Sequence, residues 1–174
     1  ENCAVEPEVT QLVEALTTAG ASIEGMGTPK LRVTGVEEIA PLRHRVIADR
    51  IEAGTFMAGV ALASGRVTLT GVDPDHLSPV TAILEDMGCE IVPDGDLLTI
   101  EAVERPAPVE VVTRPYPGFP TDMQAQVMAA CCLARGTSFI RSGSIWRGSL
   151  WRLRRRRWAR RLTWVSTVTP ALMP

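Results

Sequence analysis

The sequence repeats one structural plan after about 70 residues, and this repeat limits the possible folds more than any other feature. Residues 12–37 and 80–104 each contain a short amphipathic segment, a glycine, and two short β-favouring runs separated by a turn. Gly20 and Gly88 stand where the two helices should end, because glycine readily takes the left-handed conformation of a helix C-cap. Each copy therefore predicts a helix followed by a β-hairpin.

A second kind of unit alternates with the first. Residues 48–72 and 121–140 each combine a helix that starts near an acidic residue, a stop at Ser-Gly or Arg-Gly, and a strand. These helices are apolar on nearly all sides, which predicts burial rather than a position on the surface. The alternation predicts an α/β fold of repeated helix-plus-sheet units, with the helices central and the sheets outside.

The segment after residue 140 breaks this plan. Residues 1–140 carry all 20 acidic and 9 of the 18 basic residues, a net charge of −11, whereas residues 141–174 carry 9 arginines and all four tryptophans. One interpretation is a basic arm that binds nucleic acid. The other is translation in the wrong frame of a GC-rich gene, which we favour because the break falls inside a repeat. Neighbouring arginines repel one another, so we expect this tail to be poorly ordered or loosely attached.

The composition argues against several classes of protein. With 45% hydrophobic and 22% charged residues, the 174-residue chain has the composition of a globular protein with a buried core. No apolar run is long enough for a membrane span, so we expect no membrane partner. The four cysteines lack CxxC spacing, which argues against a zinc site or a disulfide framework and predicts a reducing, cytoplasmic location. The chain has only two histidines to join the cysteines, so we expect no metal. Because no phosphate loop or dinucleotide motif occurs, we also expect no cofactor.

A proline-rich loop leads to a candidate catalytic acid. The stretch PYPGFPTDMQAQ, residues 115–126, places three prolines ahead of Thr121 and Asp122 at the start of a helix. An acid at this position often serves only as a helix cap, and this interpretation competes with a functional one. A general base requires a carboxylate in a fixed position, and a restricted loop provides it. If Thr121 is the cap, Asp122 is free to face a cleft.

Three stretches make the chain similar to the UDP-N-acetylglucosamine enolpyruvyl transferases of bacterial cell-wall synthesis. They are ENCAVEPE (1–8), ADRIEAGTFMAGVALASG (48–65) and PYPGFPTDMQAQVMAACCLARGTSFI (115–140), within a resemblance that covers residues 1–140. The resemblance implies part of an inside-out α/β barrel with helices inside. Residues 1–46 would finish a first domain, residues 47–140 would begin a second, and residues 141–174 depart from the family. The chain does not begin with methionine and resembles a fragment.

The resemblance also implies an activity. It predicts transfer of the enolpyruvyl group of phosphoenolpyruvate to the 3-hydroxyl of UDP-N-acetylglucosamine, the first committed step of peptidoglycan synthesis, with these two small molecules as partners. Asp122 matches the aspartate that accepts the hydroxyl proton. The weaker candidates, for substrate binding, are Asp49, Arg50, Glu6, Glu8 and Asn2.

Other family residues have no counterpart here. The family's reactive cysteine and its phosphate-binding lysine and arginines match no residue of this sequence, so we expect the chain alone to be inactive. Cys131 and Cys132 are expected to be small core residues. The alternative function is a nucleic-acid-binding adaptor that uses the arginine-rich tail on an α/β scaffold.

Overall fold

The computed structural model describes residues 1–143, 149–154 and 166–168, with side chains described within residues 1–143. The chain divides into two compact units, Glu1–Ile47 and Ala48–Pro174, which are called unit 1 and unit 2 below. The helices of the described residues include none with the length and apolar character needed to cross a membrane.

Unit 1 is a single helix followed by a hairpin. Helix α1 (Pro7–Thr18) begins with a proline, whose fixed backbone angle suits the first helical turn. It ends at Gly20, which has a φ of +105°, and the amide of Ala21 donates to the carbonyl of Leu16 at 2.9 Å. Strands β1 (Ser22–Glu24) and β2 (Arg32–Thr34) then pair antiparallel. The helix-plus-hairpin prediction is confirmed.

Unit 2 contains the second copy of this plan. Helix α3 (Pro74–Asp86) ends at Gly88, which has a φ of +97°, and strands β4 (Glu90–Asp94) and β5 (Leu97–Glu101) form an antiparallel hairpin. The amide of Cys89 donates to the carbonyl of Leu84 at 3.0 Å, the same bond that ends α1. The positive φ of the glycine turns the chain back, so that the next amide can donate to a helix carbonyl that would otherwise lack a donor.

The two helix-and-strand units are also present in unit 2. Helix α2 (Arg50–Ala63) leads to β3 (Arg66–Thr70), which pairs antiparallel with β5 to give the order β3-β5-β4. A short 3-10 helix (Thr121–Met123) runs into α4 (Gln124–Cys131), and β7 (Thr137–Arg141) follows. Strand β7 pairs parallel with β6 (Glu110–Val112). The predicted alternation of the two kinds of unit is confirmed.

The three α-helices that the structure describes in unit 2 share one apolar core with its sheets. Its fully buried members include Met57, Leu77, Leu84, Ile100 and Val127. The burial predicted for α2 holds for only part of the helix, where Ala53, Met57 and Ala61 are buried. Phe56 and Leu62 are 58% and 37% exposed, and Gly59 between them is exposed as well. No element of the described residues covers this side of the helix.

Part of the tail extends the sheet that β6 and β7 form. Strand β8 (Ser149–Arg154) pairs antiparallel with β7 from Thr137↔Arg154 to Arg141↔Leu150, and β9 (Ser166–Val168) pairs with β8. The expectation of a loosely attached tail is wrong for these strands, whereas poor order of the tail stays a prediction. Ladder hydrogen bonds join backbone groups, so pairing is compatible with an arginine-rich sequence. For residues 144–148, 155–165 and 169–174 that expectation lies outside the described residues.

Candidate active site

The loop ahead of Asp122 is closed by its own backbone. The amide of Arg114 donates to the carbonyl of Phe119 at 2.9 Å, and the amide of Gly118 donates to the carbonyl of Pro115 at 2.8 Å. A Cβ atom on Gly118 would lie 2.5 Å from the Cβ of Arg114, so only glycine fits this turn. The side chain of Phe119 is buried in the core. The backbone of the loop therefore has one defined conformation up to residue 120.

Asp122 lies on a 3-10 helix rather than at a cap. Pro120 occupies the N-cap position of the 3-10 helix and Met123 that of α4, and neither helix has a side-chain cap bond. The expectation that Thr121 is the cap is therefore wrong. The amide of Met123 donates instead to the carbonyl of Pro120 at 3.1 Å. Asp122 is exposed, and within residues 1–143 its carboxylate makes no hydrogen bond or ion pair.

Asp49 and Arg50 open helix α2 in unit 2. The Asp49 Oδ1 accepts the amides of Ile51 at 2.7 Å and Glu52 at 3.1 Å, which is N-cap geometry. The Arg50 guanidinium carbon lies 5.5 Å from the centroid of the Tyr116 ring, within cation–π distance. Asp49 thus has a local structural role, and Arg50 contacts the loop that leads to Asp122.

The remaining candidates lie in unit 1. Asn2 has a φ of +59°, a conformation that asparagine tolerates better than most residues. Glu6 occupies the N-cap position of α1 without a side-chain cap bond. Its Oε2 is buried and lacks a hydrogen-bond partner within the part of the chain that the structure describes. Glu8 lies in the first turn of α1, where an acid complements the helix dipole.

Helix α2 also contacts the segment on the other side of Asp122. Met123 is fully buried, and a Cβ atom on Gly54 would lie 3.0 Å from its Cε and 3.1 Å from its Sδ. The Nε2 of Gln126 donates to the Oγ1 of Thr55 at 3.0 Å. None of these four residues was singled out from the sequence. The available signal was that Gly54 and Thr55 belong to the stretch DRIEAGT.

The two adjacent cysteines of unit 2, Cys131 and Cys132, are free thiols of the core, as predicted. Cys131 is fully buried, and burial raises its pKa from 9.0 to about 11. Cys132 packs against the core, its Sγ donates to the carbonyl of Met128 at 3.1 Å, and burial raises its pKa as well. Both side chains are protonated at neutral pH and are poor nucleophiles, because the thiolate is the reactive form.

Thiol alkylation checks this assignment. At pH 7.5, Cys131 of the folded chain should react with iodoacetamide at least about 10²-fold more slowly than the partly exposed Cys3. In urea the two rates should converge, and Cys3→Ser should remove the fast phase. Because the folded state holds the Cys131 proton more tightly, this group's contribution to stability is complete below pH 9 and is lost as the pH rises towards 11. Rapid labelling of Cys131 in the folded chain would contradict the assignment.

Comparisons with known proteins agree on one family. The family model for EPSP synthase (3-phosphoshikimate 1-carboxyvinyltransferase) matches residues 1–149. A UDP-N-acetylglucosamine 1-carboxyvinyltransferase of Psychrobacter sp. (strain PRwf-1) is 46% identical over 140 residues, which are 80% of this chain and 32% of that protein. A protein of the same name from Anaeromyxobacter sp. (strain Fw109-5) is 50% identical over 139 residues, 80% of this chain and 33% of that one.

A solved structure agrees as well. The enolpyruvyl transferase NikO from Streptomyces tendae superposes with a TM-score of 0.69 at 28% identity, over 82% of this chain and 34% of that chain. The chain therefore spans about a third of the length of the curated relatives it matches.

Proposed function

The chain belongs to the EPSP synthase family of carboxyvinyl (enolpyruvyl) transferases, and from this premise we propose that it is part of a UDP-N-acetylglucosamine enolpyruvyl transferase. The relatives of that name, at 46% and 50% identity, support this acceptor. The structural observation that carries the proposal is Asp122. Its carboxylate is exposed and has no described partner, and it lies on a short helix. The loop that precedes this helix is closed by hydrogen bonds within its own backbone.

The proposed reaction joins two small molecules. A proton is added to carbon 3 of phosphoenolpyruvate, and the 3-hydroxyl of the sugar adds to carbon 2 and loses its own proton. Phosphate then leaves carbon 2 of the tetrahedral intermediate while carbon 3 gives up a proton, which restores the carbon–carbon double bond. Asp122 accepts the proton of the attacking hydroxyl, which a sugar does not release by itself near neutral pH.

The other assignments belong to the same proposal. Residues 1–46 would finish the first transferase domain and residues 47–140 would begin the second. Asp49, Arg50, Glu6, Glu8 and Asn2 stay candidates for substrate binding, and peptidoglycan synthesis in the cytoplasm would be the biological setting. Among the described contacts, none favours a nucleic-acid-binding adaptor.

A chimera tests the proposal. Residues 1–140 would replace the matching 140 residues of the Psychrobacter relative, and phosphate release would be measured with both substrates. The chimera should release phosphate only when phosphoenolpyruvate and UDP-N-acetylglucosamine are both present. The 174-residue chain alone should release none, because no residue in it matches the family's phosphate-binding cations.

Two outcomes would contradict the proposal. A chimera with the circular dichroism spectrum of the parent enzyme but no turnover would show that these residues do not support the reaction. Turnover with shikimate 3-phosphate in place of the sugar nucleotide would keep the reaction type and replace the acceptor.

A further inference from the structure

We propose that three residues of α2, Arg50, Gly54 and Thr55, position Asp122 for proton transfer, an inference that rests on the proposed function. Arg50 and Gly54 are four residues apart and therefore lie on the same side of the helix, whereas Thr55 lies about 100° further round it. Asp122 itself makes no described hydrogen bond or ion pair. Its orientation therefore depends on the backbone that carries it.

The three α2 residues contact the chain on both sides of Asp122. Ahead of it, the Arg50 guanidinium lies over the Tyr116 ring at 5.5 Å. Directly after it, the buried Met123 side chain lies against the Cα of Gly54, where a Cβ atom would come within 3.0 Å of the Met123 Cε. Further on, the Gln126 Nε2 donates to the Thr55 Oγ1 at 3.0 Å. Helix α2 thus contacts the segment 116–126 at three points.

Thr55 links two of these points. Its Oγ1 donates to the carbonyl of Ile51 at 2.7 Å, which orients the lone pairs that accept the Gln126 amide. The same oxygen lies 3.9 Å from the Sδ of Met123. A single hydroxyl therefore touches the residue next to Asp122 and the first turn of α4. Because a displacement of about 1 Å can lower a catalytic rate about 10²-fold, small changes at Thr55 should reach the reaction.

The first experiment varies the hydroxyl. Thr55→Val keeps the side-chain shape and removes the hydroxyl, whereas Thr55→Ser keeps the hydroxyl. In the 174-residue chain, hydrogen exchange at the Met123 and Gln124 amides should accelerate about tenfold in Thr55→Val and stay near the unmodified rate in Thr55→Ser. In the chimera, Thr55→Val should lower kcat about tenfold with KM nearly unchanged, and Thr55→Ser should restore most of it.

Thr18→Val is the matched control. The Oγ1 of Thr18 also donates to the carbonyl four residues earlier, that of Glu14, at 2.9 Å, but Thr18 belongs to unit 1. It should change neither the exchange of the two amides nor kcat. Exchange of the β5 amides reports whether each variant keeps the fold of unit 2.

The second experiment separates positioning from substrate binding at Arg50. If Arg50 acts through Tyr116, Arg50→Leu should lower kcat severalfold and should have little further effect in a Tyr116→Leu background. If Arg50 instead contacts substrate, Arg50→Leu should raise KM by the same factor in both backgrounds. That second result would overturn the positioning role of Arg50.

The remaining outcomes are distinguishable. Unchanged amide exchange in Thr55→Val would overturn the proposal, and so would faster exchange with an unchanged kcat. Failure of the proposed function has its own signature, namely an Asp122→Asn chimera with normal turnover. The exchange measurement on the 174-residue chain is independent of that result, because it needs no catalysis.

Discussion

Asp122→Asn in the chimera is expected to lower kcat about 10²- to 10⁴-fold, the range that a positioned general base contributes. Asparagine matches the shape of aspartate but cannot accept the proton of the attacking hydroxyl. Because the carboxylate is exposed and makes no described hydrogen bond or ion pair, its replacement removes no structural contact. The fold should therefore stay intact while phosphate release slows.

Asp75→Asn supplies the matched control. Asp75 is also an exposed aspartate in the first turn of a helix, α3, so its substitution removes the same favourable interaction with a helix dipole. Turnover of this variant should stay within about twofold of the parent, since a surface substitution of this kind changes stability by about 0.5 kcal/mol or less. If the two variants behaved alike, Asp122 would be an ordinary acid at a helix start and the proposed mechanism would lose its base.

The ends of the helices could be predicted because they depend on local chemistry. Gly20 and Gly88 each adopt a positive φ, and the amide that follows each of them bonds back to a helix carbonyl. A glycine between a helical pattern and a strand pattern is enough to indicate this arrangement, without knowledge of any distant residue. The hairpins after them were predictable for the same reason.

The structure around Asp122 could be predicted only in part. The prolines predicted that the loop ahead of Asp122 has a restricted conformation. The 3-10 helix between Pro120 and α4 was not predicted, and Thr121 was therefore wrongly expected to be the cap. The contact of Met123 with Gly54 joins residues far apart in sequence, and neither residue type indicates a partner. Sequence alone therefore proposed the acid and missed the contacts that α2 makes on either side of it.

The exposed face of α2 shows a second limit of prediction from sequence. An all-round apolar helix predicts that something covers each face, but composition does not say whether the covering element lies in the same chain. Phe56 and Leu62 remain exposed among the described residues, although the matched stretch covers only 32% of a curated relative. The apolar pattern and the observed exposure are compatible if that face is covered only in the longer protein.

The repeat itself allows a stability prediction with an internal control. Leu16 and Leu84 occupy the same place in the two helix-plus-hairpin copies, since the carbonyl of each accepts the amide five residues later, at 2.9 and 3.0 Å. Leu84 is fully buried in the core of unit 2, whereas Leu16 is only partly buried in unit 1. The same substitution at these two positions therefore differs mainly in the burial that it removes.

Leu84→Ala should lower the opening free energy measured by exchange of the Cys89 amide by about 2–5 kcal/mol, because it removes buried methyl groups and leaves a cavity. Leu16→Ala should lower the corresponding value for the Ala21 amide by about 1 kcal/mol or less, because water already reaches part of that side chain. Hydrogen exchange at these two matched amides measures both effects in the same 174-residue chain. If the opening free energy fell equally at the two positions, Leu84 would not be better buried in unit 2 than Leu16 is in unit 1. That result would contradict the burial that the structure assigns to Leu84.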